Sequence, residues 1–216
     1  MERNEFVKFL FDRDTSAGLW YLRDDFDAPD LGGEKYLELF RWIMNEATSI
    51  AECYSESQLA QGLLCLINPS SSPVTPFFYE ERLNVELKSA AIHSMRTIFD
   101  ALFAKKCTGS ARFNEQDSQN KDVTFDYVCF MWWDIFPWHG VPERPSMAAV
   151  SDALIQVLAD ILEIDNFACK ESALHGLGHW HSARPQQVEG IINGASPRIP
   201  SDLLAYAECA RSGKVQ

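Results

Sequence analysis

Apolar residues recur at helical spacing along nearly the whole chain, and in one stretch they do so on two sides of the same helix. Leu87, Ala91, Met95, Ile98 and Leu102 follow one another at intervals of three and four, which is one face of a helix. Ile92, Phe99 and Phe103 add a second apolar face to that helix. A helix apolar on two sides must be sandwiched between neighbours, so the chain has to stack helices rather than lay them on a single surface. Met147, Val150, Leu154, Val157, Leu158 and Ile161 make a second long stripe, on a helix starting near Ser146. Further helices are predicted from Glu34 to about Cys53, Ser57 to Ile67, Val123 to Phe136, Phe167 to Trp180, Pro185 to Ile192 and Ser201 to Arg211. Ser55 with Gln58 has the spacing of a capping box, and Ser201 after Pro200 that of an N-cap. No alternating strand series occurs, and Leu19 to Leu22 suits a short extended run or a short helix equally well. The expected class is all-α.

The breaks are legible from composition. Asn68 to Pro76 holds three prolines and three serines and reads as a loop. Thr108 to Asp122 is polar and poor in apolar residues and reads as a long exposed connection, and Pro137 to Pro145 separates two helices. None has the character of a flexible interdomain linker, so residues 1–216 are expected to form one domain. Residues 1–54 form its acidic N-terminal helical cap and 55–216 its repeats.

Charge narrows the partners. Nineteen basic against 31 acidic residues give a net charge of −12, and residues 1–52 carry half of it. That argues against nucleic acid or an anionic membrane as partner, since both need a basic face. It suits a protein that meets a basic partner. The N-terminus lacks the basic-then-apolar pattern of a secretory signal. The longest uncharged stretch, Ser57 to Tyr79, is interrupted by Pro69, Pro73 and Pro76. Six cysteines occur without a C-x-x-C pair, mostly in apolar text, and read as buried reduced thiols. A cytoplasmic location is expected.

Internal similarity carries the architecture further. Ala91-Ile92-His93 and Ala173-Leu174-His175 match at an offset of 82, two units of 41, with the helix containing Trp133 midway. Each unit is then a helix, a turn and a second helix. Cys169-Lys170-Glu171-Ser172-Ala173-Leu174-His175-Gly176-Leu177-Gly178, followed by Pro185, Val188, Ile191 and Ile192, resembles a HEAT-like repeat. The similarity is good over about 168–194, looser over 84–136, and absent from 1–54. The resemblance implies an α-α superhelix, a right-handed HEAT-like solenoid of stacked helical hairpins with a concave face and a binding role. Two enzyme groups of that architecture fit poorly. The di-iron hydroxylases bind metal through His-Glu pairs, and no His-Glu dipeptide occurs here. The DNA glycosylases use a basic groove, against a charge of −12.

Three features remain as candidate sites. His175-x-x-x-His179-x-His181 places two imidazoles on one helical face, the spacing that can offer both to one metal ion. The glutamate that zincins carry after the first histidine is replaced by Gly176. The acidic run Asp24, Asp25, Asp27 and Asp30 fails the EF-hand pattern, with Pro29, Asp30 and Tyr36 at ligand or glycine positions, and reads as a solvated turn or a docking patch for Lys and Arg. In Trp132-Trp133-Asp134-Ile135-Phe136-Pro137-Trp138-His139, adjacent helical residues diverge by about 100°. One of the first two tryptophans is therefore expected in the core, and the other, or Trp138, reads either as further core and inter-repeat packing or as an exposed anchor. No nucleophile elbow, phosphate loop or dinucleotide fingerprint is present.

The reading that follows is a non-enzymatic protein-binding solenoid, of inhibitor or immunity type toward a basic protein, needing no cofactor. Its expected contacts are Asp24, Asp25, Asp27, Asp30, Trp132 and Trp138. The alternatives are a metal-dependent enzyme using His175, His179 and His181, and a structural subunit of a larger assembly.

Overall fold

The computed structural model describes residues 1–107, 109, 123–136, 138–140 and 144–215. The protein is all-α, with no strand among the described residues. In chain order the helices are α1 (Arg3–Phe11), α2 (Gly33–Asn45), α3 (Ala47–Ala51), α4 (Glu56–Ile67), α5 (Thr75–Phe78), α6 (Val85–Ile98) and α7 (Ala104–Lys106). After them come α8 (Phe125–Ile135), α9 (Ala148–Leu162), α10 (Phe167–Trp180), α11 (Pro185–Ala195) and α12 (Leu204–Arg211). The connection expected at 108–122 lies outside the described residues apart from Gly109, as do 137 and 141–143 of the Pro-rich turn.

Local chemistry explains where most of these helices begin. The Ser55 Oγ accepts from the backbone N–H of Gln58, whose side-chain oxygen accepts in return from the N–H of Ser55, completing the expected capping box of α4. Asn84, Thr124 and Asn166 cap α6, α8 and α10 in the same way, each accepting an N–H three residues on. The helix predicted over 34–53 is instead two, because Glu46 leaves helical geometry at φ −98°, ψ 11°. Ser201 is not an N-cap: it begins a 3-10 turn, Ser201–Leu203, that feeds α12, and its hydroxyl turns to Asp202. Leu19 to Leu22 resolves into a 3-10 turn over Trp20–Leu22.

The helices fall into two rows. In one, α6 lies between α2 and α9; in the other, α1, α4, α8, α10 and α12 succeed one another. Across the rows α9 packs on α10 and α1 on α2. The two-faced apolar pattern of α6 is thereby explained, since Ala91, Ile92, Met95 and Ile98 are all buried in the sandwich. Pro145–Leu162 has the length and apolarity of a membrane-crossing segment, and most of it is α9, enclosed by α6 and α10. The offset of 82 links α6 with α10, which stand in different rows, whereas the offset of 41 links α8 with α10, neighbours in one row.

Between α6 and α7 the chain makes a π-helical turn, Phe99–Phe103. It packs against α8 and α10 and delivers the aromatic centre of the core. Phe99 stacks on Trp133 and meets Trp132 edge-on, and Phe103 packs against Trp132 and Phe125. Trp132 and Trp133 are therefore both buried, against the reading that leaves one of them as an exposed anchor. Divergent directions do not expose either residue, because α8 has α4, α10 and the π turn around it. The buried apolar residues form one cluster running from Phe6 to Ala210. All six cysteines are free; Cys65, Cys107, Cys129 and Cys169 are buried, and Cys53 and Cys209 are exposed.

Candidate metal centre

Helices α8 and α10 approach closely because Gly176 has no side chain. A Cβ there would lie 2.5 Å from Leu158 Cδ2 on α9 and 2.8 Å from Trp133 Cγ on α8. The residue after Trp133 is Asp134; His175 directly precedes Gly176, and His179 follows it by three residues, about one turn. The close approach brings these three side chains together. His175 Nε2 is 2.8 Å from Asp134 Oδ2, His179 Nε2 is 2.8 Å from Asp134 Oδ1, and the two Nε2 atoms are 3.0 Å apart. Among the described residues this is the one group of three or more His, Cys, Asp or Glu side chains whose ligand atoms converge as a metal requires.

The surroundings are graded from dry to wet. His175 is fully buried, while the side chains of His179 and Asp134 are 24% and 28% exposed. The ring of Phe130 lies 4.7 Å from that of His175, and the Tyr206 hydroxyl hydrogen-bonds its Nδ1. His139 stacks on His179 at 4.7 Å and donates from Nε2 to the carbonyl of Trp133, one of the open carbonyls at the end of α8. The turn that carries His139 is held by Gly140, which has φ 72° and presses against the Trp180 ring where a Cβ would clash. Burial alone would raise the Asp134 carboxyl, but hydrogen bonds from His175 and His179 outweigh it and hold the group well below the usual carboxylate range. Burial pushes His139 down, and its bond to the Trp133 carbonyl only partly restores it.

Of the three histidines read from the sequence, the structure brings together His175 and His179. His181 is elsewhere, 3.6 Å from Glu189 of α11, because two residues further round a helix point about 200° away. Asp134 takes the third place. It lies 41 residues before His175, the offset read above from internal similarity in the sequence, so that spacing held a signal for it. Tyr206 carried no such signal, since its position depends on how α12 returns to α10.

The acidic segment lies at the other end of the chain's rows. Asp24, Asp25, Asp27 and Asp30 are all exposed. Asp25 and Asp27 line a cavity of about 300 Å³ with Asp12, Asp14, Arg13, Arg23, Trp20 and Phe26. The Arg13 guanidinium sits 4.8 Å over both the Phe9 and the Trp20 ring, so one cation of the chain itself already covers this aromatic surface. Trp132 and Trp138 are buried, the latter bonding Ser151 through Nε1. They are core residues and offer no surface to a partner. The exposed apolar side chain beside the acidic run is Leu22.

Comparison with protein-family models, curated proteins and solved structures returns no match.

Proposed function

We propose that this chain is a HEAT-like helical protein built around a mononuclear transition-metal centre, with Asp134, His175 and His179 as ligands. The observation that carries the reading is the triangle of ligand atoms with sides of 2.8, 2.8 and 3.0 Å. With metal–ligand bonds of about 2.1 Å, neighbouring corners of an octahedron lie about 3.0 Å apart and those of a tetrahedron about 3.4 Å. The triangle therefore suits one face of an octahedron. Two imidazoles and a carboxylate on one face suit iron(II) and its neighbours, including cobalt and zinc. Three protein ligands leave coordination positions open, the pattern of sites that activate water or a substrate rather than of closed structural sites. The partly exposed side chains of Asp134 and His179 would leave those positions within reach of solvent.

The test is metal analysis of protein purified without a histidine tag and reconstituted with iron(II), cobalt(II) or zinc. One ion per chain is expected, lost on Asp134→Ala or His179→Ala and kept on His181→Ala. A wild type that retains no ion after dialysis refutes the reading.

A second reading, capture of a basic protein, is favoured by the exposed Asp24, Asp25, Asp27 and Asp30 beside exposed Leu22. It replaces the tryptophan anchors with that leucine. Charge reversal at Asp24, Asp25 and Asp27 should abolish salt-sensitive recovery of a basic partner, and unchanged recovery removes the patch from consideration.

A further inference from the structure

The residue that completes the metal centre from outside its ligand set is Tyr206. Its ring lies parallel to that of His175, 9° off at a centroid distance of 6.2 Å, and its hydroxyl bonds His175 Nδ1. His175 is fully buried, so water cannot serve that nitrogen. We infer that Tyr206 is a positioning residue: it fixes the His175 ring by bonding Nδ1 in either tautomer, most strongly in the one a metal requires, and through it ion binding is coupled to the docking of α12. The inference rests on the metal reading above.

A neutral imidazole carries one N–H and one lone pair. Without an ion, the bond from His175 Nε2 to Asp134 needs the proton on Nε2, and Nδ1 then accepts from the Tyr206 hydroxyl. With an ion on Nε2, the proton resides on Nδ1, and the same hydroxyl accepts it. A tyrosine hydroxyl does both by rotating its hydrogen. The two states do not value it equally. Coordination draws charge from the ring and makes Nδ1–H a stronger donor, so the hydrogen bond is worth more with the ion bound. Removing the hydroxyl therefore weakens binding and does not merely destabilise the fold.

The second half of the inference follows from what holds α12. The helix packs on α10 and α11, and beyond it Val215 fills the notch left by Gly178 while Gly213 lies against His181. Tyr206 is a polar tie between α12 and the interior face of α10. Since coupling between two events is reciprocal, an ion that strengthens this tie makes the opening of α12 rarer, and a docked α12 tightens the ion.

The experiment compares the full-length wild type with Tyr206→Phe. Cobalt(II) is titrated against a competing chelator and followed by its visible absorption, and amide hydrogen exchange is measured with and without zinc. Tyr206→Phe should bind cobalt about 10- to 100-fold more weakly, with shifted absorption bands, at one ion per chain. Zinc should slow exchange of residues 204–211 in the wild type and leave it unchanged in the variant. Tyr206→Phe binding within twofold of wild type overturns the inference while the metal reading stands. So does wild-type exchange at 204–211 that zinc leaves unmoved, a measurement that decides the matter even if the variant fails to fold. A wild type that binds neither ion overturns both.

Discussion

Gly176→Ala tests whether the close approach of α8 and α10 sets the site. The new Cβ would sit 2.5 Å from Leu158 Cδ2 and 2.8 Å from Trp133 Cγ, where ordinary contacts begin near 3.5 Å. Leu158 and Trp133 are 0% and 2% exposed, so neither has open space to move into. Overpacking of this kind costs about 1–3 kcal/mol. Alanine regains about 1 kcal/mol of helix propensity over glycine, so a net loss of about 0–2 kcal/mol is expected. The sharper consequence concerns geometry. Pushing Trp133 away carries Asp134 with it, and the ligand triangle opens, so cobalt affinity should fall by more than the stability does. Urea unfolding gives the first quantity and cobalt titration the second. Gly190→Ala is the control: it is an exposed position of α11 with nothing within 4 Å of its Cβ, and should gain up to about 1 kcal/mol with unchanged binding. A Gly176→Ala protein that binds cobalt like wild type would refute the link between helix spacing and site.

Other expectations follow from the same structure. Asp134→Asn, at a side chain 28% exposed, keeps one acceptor where the two histidines need two, so about 1.5–3 kcal/mol of stability should be lost in the ion-free protein by urea unfolding. An unchanged midpoint would show that the carboxylate bonds contribute nothing. His139 is held below its ordinary value, so its neutral form favours the fold. That contribution is complete above about pH 6.5 and is lost as pH falls through the lower folded value. The stability difference between wild type and His139→Gln should shrink over that window; the comparison cancels the relief of acidic repulsion on protonation. A thiol reagent should label Cys53 and Cys209 quickly and the four buried cysteines only on unfolding. Burial pushes Cys65 up to about 12, and fast labelling of a third thiol would contradict the packing.

How much of this the residues announced depends on how local the cause was. The start of the helix of 56–67 is visible from its cap, because Ser55 and Gln58 act within one turn. The doubled apolar face at 87–103 announces a sandwiched helix, and α6 is one. The π turn at 99–103 is not visible, since its extra residue is accommodated by α8 and α10 rather than by propensity. That Trp132, Trp133 and Trp138 are all buried is not legible for a related reason: periodicity gives direction, and the neighbours in each direction are a tertiary fact. At the site, His175 and His179 share a helical face and are legible at once. Asp134 and Tyr206 arrive from other helices, 41 residues before and 31 after His175; the offset of 41 points to the first, and only the packing selects the second. His181 shows the converse, adjacent in sequence and pointed elsewhere.

The packing of Trp133 has an optical consequence. Its indole is 2% exposed and stacked on Phe99, and the next residue is a ligand of the proposed centre. Emission from such a ring is blue-shifted in the native state and moves red on unfolding. An ion with unfilled d orbitals held by Asp134 would quench it by energy transfer, whereas zinc, with a filled shell, would not. The protein thus contains its own lamp beside the place where an ion would sit, and occupancy can be read without attaching a dye.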